Sequence, residues 1–162
     1  MGKPMGNGHP LAATVTRRAL VEAFSKDAHY FNTFGGNPVS CAAGLAVLDV
    51  IEEERLQDNA LKTGLYLKDG LSDLANRFEA IGDIRGDGLF KAIELVADRE
   101  ERSPATTLAA DVVEGLRRNG VLAGRIGTDN NIVKLRPPMV FTREDADYFL
   151  QKFAEVLASL HE

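Results

Sequence analysis

The chain has 162 residues, 44% of them hydrophobic, and nineteen Lys+Arg against twenty-four Asp+Glu leave a net charge of −5. That hydrophobic share suffices for a packed core, while the acidic balance offers no basic footprint for nucleic acid; no run of eighteen apolar residues provides a membrane span. The single cysteine, Cys41, has no internal disulfide partner, which points to a reducing, cytoplasmic compartment.

In chain order, Met1-Gly2-Lys3-Pro4 lacks the apolar stretch of a signal peptide. The first ten residues, with three glycines and two prolines, read as loop. Leu11 to Val15 reads as a short buried strand and Arg17 to Phe24 as a short helix. A second glycine-bearing loop follows, Tyr30-Phe31-Asn32-Thr33-Phe34-Gly35-Gly36. Asn37-Pro38 then starts a helix, with Asn as N-cap and Pro at the first helical position. From Val39 to Glu54 that helix is apolar on most faces and is expected to be buried, with Cys41 an inert core thiol. An amphipathic helix from Leu56 to Phe78 carries Leu61, Leu65, Leu67, Leu71 and Leu74.

Beyond it the pattern alternates. Residues 80–86 and 89–96 read as strands around Gly86-Asp87-Gly88, a hairpin signal. Pro104 to Arg118 reads as a helix stopped by Asn119-Gly120. Strands are expected at Val121 to Ile126 and Ile132 to Leu135, and a last helix opens at Thr142 with Ala146, Phe149, Phe153, Val156, Leu157 and Leu160 on its inner face. This gives an α+β unit over residues 56–162, with helices on one face of a mostly antiparallel sheet. Residues 1–55 supply too little to close a core and read as a slice of a larger α/β domain. The acidic runs at 52–54 and 98–102 read as solvated faces, and neither His29 nor His161 has a partner at metal-ligand spacing; no metal is expected.

Three segments carry chemistry. Around Lys3, glycine-rich backbone would let a planar ligand approach closely, and a lysine serving as a Schiff-base nucleophile needs the lowered pKa that burial supplies; locally, a flexible terminus with one solvated lysine fits as well. The segment Thr33 to Pro38 puts a hydroxyl and backbone N–H groups at a helix N-terminus, a ready phosphate site, or an ordinary capped start. In Lys134-Leu135-Arg136-Pro137-Pro138, a strand-borne arginine stiffened by prolines could take a carboxylate bidentately, or simply belong to a surface strand. His9 could face a cofactor or be a polar turn residue.

Taken in order, Gly2-Lys3 with Gly6-Asn7-Gly8-His9-Pro10, Thr33-Phe34-Gly35-Gly36-Asn37-Pro38, Ile84-Arg85-Gly86-Asp87-Gly88-Leu89 and Leu135-Arg136-Pro137-Pro138 resemble the class-III aminotransferases across the whole chain. Within that family MGKPMGNGHP, YFNTFGGNPVSCAAGLAVLD and PPMVFTREDA are most similar to the ethanolamine-phosphate phospholyase branch. The resemblance implies the C-terminal portion of a fold-type-I pyridoxal-phosphate enzyme: a remnant of the large cofactor domain with a connecting helix (1–55), and the small C-terminal domain (56–162). It implies pyridoxal 5'-phosphate as cofactor, Lys3 as the Schiff-base lysine that moves the α-proton, Thr33 at the cofactor phosphate across a homodimer interface, and Arg136 as a partner for a substrate carboxylate or phosphate. Many relatives carry the C-terminal arginine at the position of Lys134. The implied reaction is amino transfer between a small amine or amino acid and a keto acid, with phosphate elimination from a phosphorylated amine as the alternative. The large-domain half that orients the cofactor ring is expected to precede Lys3, so the isolated chain is expected to be inactive, and a non-catalytic folded module is the alternative of another class.

Overall fold

The computed structural model describes residues 1–160, the side chain of Lys3 excepted, so His161 lies outside the described residues. Contacts divide the chain into two compact units, residues 1–55 and residues 56–162.

The first unit holds a short 3-10 helix, Lys3–Gly6, and two α-helices, α1 (Arg18–Asp27) and α2 (Pro38–Glu53). No strand forms at Leu11 to Val15. A strand needs a ladder partner for its N–H and C=O groups, and among the described residues the segment finds only Met1, whose amino group donates to the Ala13 carbonyl at 2.8 Å while Ala13 N donates back at 3.1 Å. The expected burial of α2 is also corrected. Its bounds fall within a residue of expectation, yet only Gly44 is buried; Val39 is 71% exposed and Leu45 60%. Cys41 is exposed as well, not a core thiol. The apolar composition is real, but among the described residues this unit covers little of the helix beyond the side around Gly44.

The second unit closes a core. Helix α3 (Leu56–Arg77) leads into β1 (Ile81–Arg85), β2 (Lys91–Asp98) and a two-residue β3 (Ser103–Pro104); α4 (Thr106–Arg118), β4 (Gly124–Ile126), β5 (Ile132–Leu135) and α5 (Arg143–Leu160) follow. The sheet order is β1-β2-β5-β4, antiparallel at every pairing, with β3 added beside β2. In register, Ile93 of β2 faces Ile84 and Val133, and Lys91 faces Leu135. Period-two alternation sends Ile93, Leu95, Val133 and Leu135 to one face, where they share a single cluster with residues of α3, α4 and α5. Helices α3 and α4 pack on the strands, and α5 packs against both.

Two leucines expected on the inner face of α3 are outside it, Leu61 at 51% and Leu65 at 53% exposure. The buried stripe runs through Thr63, Gly64, Leu67, Leu71 and Leu74, the 3.6-residue period that a count of leucines alone obscures. Leu160 is likewise exposed at the end of α5, whose other expected residues are buried. Helix α4 starts two residues later than expected because Ser103–Pro104 pairs with β2 instead, and only the last part of the 121–126 stretch joins the sheet.

Candidate functional site

In the first unit the two glycine loops meet. The backbone of Lys3 lies in the 3-10 helix, which ends on Asn7 in the left-handed region; the lysine side chain lies outside the described residues. The loop turns back through His9, whose Nε2 is hydrogen-bonded to Ser40 Oγ at 2.8 Å, within the first turn of α2. One turn on, the packing is close: a Cβ at Gly44 would collide with the side chain of Leu11. His9 is thus a structural clasp between the lysine segment and the helix, and a shallow cleft forms there between residues 9–12 and the 32–41 loop.

The 32–37 turn is held by two asparagines. Asn32 Oδ1 accepts from the N–H groups of Phe34 (3.1 Å) and Gly35 (3.0 Å). Asn37 Oδ1 accepts from Ser40 N at 2.9 Å, while its Nδ2 donates to Phe34 O and Ser40 Oγ. The N-cap therefore uses one of the orphan donors that the bare sequence offered to a phosphate. Among the described residues Thr33 makes no side-chain hydrogen bond, and it is exposed. Three residues on in the same loop, Gly36 sits at φ +71°, with open space where a side chain would stand. A free hydroxyl and an unobstructed glycine in one exposed loop are features that fit a phosphate group.

In the second unit Arg136 is exposed just past the end of β5 and has no ion pair or side-chain hydrogen bond among the described residues. It borders an apolar cleft of about 350 Å³ whose walls include Leu122, Pro137, Pro138, Phe141 and Tyr148. Lys134, two residues earlier on the same strand, is half-buried. By contrast Arg85 is engaged, bridging Asp83 at 2.6 Å and Glu94 at 2.5 Å, and these carboxylates push its pKa up.

Sequence reasoning missed three polar residues. Asn59, on the first turn of α3, donates to two carbonyls of the loop that follows Arg136. Arg99 ties the end of α3 to β1 by donating to Ala75 O and Ile81 O, each at 2.7 Å. Lys91 is 2% exposed, with one hydrogen bond, to Gly86 O at 3.3 Å; burial, then the nearby Lys68, push its pKa down against the pull of Asp87. None had a sequence signal, because the carbonyls to which each donates are brought close only by folding. No cluster of three or more metal-ligating side chains occurs among the described residues, and none of their helices is long and apolar enough to cross a membrane.

Comparison with known proteins identifies the family. The chain is 50% identical over 99% of its length to a Drosophila melanogaster protein named alanine–glyoxylate aminotransferase 2-like, of which it covers 33%. It is 44% identical over 90% of its length to ethanolamine-phosphate phospho-lyase homolog 1 of Caenorhabditis elegans, of which it covers 31%. The fold superposes with a TM-score of 0.93 on an Arthrobacter phospholyase solved in complex with phosphoethanolamine (45% identity, 98% of this chain and 38% of that one). With a PLP-bound amine transaminase from an uncultivated Pseudomonas species the TM-score is 0.86 (34% identity, 98% and 37%). The chain spans about a third of the length of the curated relatives it matches. The family model described as aminotransferase class-III matches residues 1–157, and the chain belongs to that family, whose cofactor is pyridoxal phosphate.

Proposed function

We propose that this chain is the C-terminal part of a pyridoxal-phosphate aminotransferase that moves an amino group between a small amine or amino acid and a keto acid. The observation that carries this reading is the family match over residues 1–157, which includes both the Gly2-Lys3 segment and the free Thr33 hydroxyl. When bound, the cofactor supplies the electron sink for charge at the carbon beside the amine.

The residues of this chain have three tasks. Lys3 would hold the resting cofactor covalently through Nζ and, once the incoming substrate amine has displaced it, the freed amine would take and return the proton at that carbon. Thr33 donates to the phosphate of the cofactor in a second copy, so the site is shared across a two-fold homodimer. The exposed, mostly apolar face of α2 supports such an assembly. Arg136 offers a planar fork that matches either a carboxylate or a phosphate. Taken alone, the chain contributes the lysine and one phosphate donor, which is too little to orient the cofactor, so we expect the isolated chain to be inactive. The unpaired Cys41 fits a cytoplasmic setting, although two relatives, from Arabidopsis thaliana and Pongo abelii, are named mitochondrial. Fractionation of cells expressing the full gene tests the compartment.

A second reading is favoured by one observation, the close superposition on the Arthrobacter phospholyase. In that reading Arg136 holds phosphate and the reaction eliminates it. The full-length enzyme is incubated with phosphoethanolamine and, separately, with an amine plus pyruvate. Alanine formation without phosphate release supports transamination, and phosphate and ammonia release without transfer to pyruvate overturns it. Lys3→Ala tests the lysine: if the variant still forms a borohydride-fixed cofactor adduct at full occupancy, Lys3 is not the attachment point.

A further inference from the structure

The loop from Arg136 to Thr142 has no regular secondary structure, yet its backbone is tied down along its length. At its start β5 is laddered to β2. At its end Thr142 N and Oγ1 both donate to Asp145 Oδ2, at 2.9 and 2.8 Å, which caps α5. In the middle Phe141 N donates to Pro138 O at 3.0 Å. The remaining grip comes from far away in sequence. Asn59 Nδ2 donates to Met139 O at 2.8 Å and to Phe141 O at 3.0 Å, and Asn59 Oδ1 accepts from the buried Thr63 hydroxyl at 3.2 Å. One amide thus spans two carbonyls on the far side of the Pro137-Pro138 pair from Arg136, with its own orientation set by Thr63. A flipped amide, or a carboxylate in its place, would aim oxygen at two carbonyls, so the geometry is selective for an asparagine amide.

We infer that Asn59 is a positioning residue for Arg136: it holds the 137–141 strap rigid so that the guanidinium meets the anionic end of the substrate in one orientation. The inference rests on the proposed anion-binding role of Arg136. Prolines stiffen the strap only along the chain; they do not fix it against the body of the unit, and the Asn59 amide does. Because bidentate recognition depends on the angle of the fork, a loosened strap costs affinity for the anionic group while the chemistry at the lysine end is unchanged.

The test uses the full-length holoenzyme and steady-state kinetics with an anionic amino donor and with an uncharged amine. Asn59→Ala is expected to raise KM for the anionic donor about five- to tenfold with kcat within about twofold, and to leave the uncharged amine unaffected. Thr63→Val, which keeps the buried volume but frees the amide, is expected to shift the same KM in the same direction by a smaller factor; it serves should Asn59→Ala fold poorly. Arg136→Ala is expected to raise that KM further, and the double variant to be no worse than Arg136→Ala alone. If Arg136→Ala raises KM but Asn59→Ala and Thr63→Val do not, or if Asn59→Ala and Arg136→Ala combine multiplicatively, the positioning role is refuted while Arg136 keeps its role. If Arg136→Ala leaves KM unchanged, both fall.

Discussion

Gly64→Ala is expected to weaken the second unit severely. Gly64 lies on the buried stripe of α3, and a Cβ there would overlap the carbonyl oxygen, carbonyl carbon and Cα of Gly88. Those atoms are backbone, in a turn where Gly86 and Gly88 both have positive φ, so nothing in contact can rotate aside. Either α3 or the turn must shift by roughly an ångström, against a strand ladder that begins at Lys91. Overpacking of this kind costs about 1–3 kcal/mol or more, and rigid backbone on both sides puts it at the top of that range. The helix-propensity gain of alanine over glycine returns about 1 kcal/mol. The net loss is then about 2 kcal/mol, a fall in the unfolding midpoint of roughly 8–16 °C for a unit of this size. Gly70→Ala is the control on the same helix, because there the Cβ meets the end of the flexible Leu150 side chain; it is expected to change stability by about 1 kcal/mol or less. Thermal unfolding followed by circular dichroism reads both. A Gly64→Ala protein as stable as Gly70→Ala would refute the reasoning.

Lys91→Met should stabilise the fold by about 1 kcal/mol at neutral pH, by removing a buried ammonium with one long hydrogen bond. The folded pKa lies below the ordinary 10.5, so the wild-type penalty is full below the folded value and disappears as pH rises towards 10.5; a gain for Met that persists undiminished above that pH contradicts the assignment. Glu114 accepts from Arg117 and Arg118, and these hydrogen bonds lower its pKa from 4.5 to about 2. Its contribution is therefore present above pH 4.5 and lost as pH falls through about 2, so Glu114→Gln should be less stable than wild type at pH 6 and equal to it below pH 2. A constant difference across that range in denaturant titrations would refute it. Thr33→Ala in the full-length enzyme should weaken cofactor affinity roughly tenfold or more, the effect of one hydrogen bond to a charged phosphate; a cofactor titration with unchanged affinity would remove Thr33 from the site.

Much of this protein was legible in its residues alone. Asn37-Pro38 marked the start of α2 to the residue, the 86–88 glycines marked the first hairpin, and the 132–135 strand kept its bounds. These signals are local: a cap, a positive-φ turn and a period of two each act within a few residues. The ordered set of motifs from Gly2 to Pro138 also carried the family. Burial was another matter. The apolar run of α2 and the small-residue run 11–15 read as core and strand, yet they are largely exposed and unpaired, because burial and ladders need a partner surface that these 55 residues do not contain. The grip of Asn59 on a loop eighty residues away, the overlap that makes Gly64 necessary and the enclosure of Lys91 were equally invisible. Each depends on which backbone atoms the fold brings within a few ångströms, a quantity with no local periodicity, and so only the tertiary structure decided them.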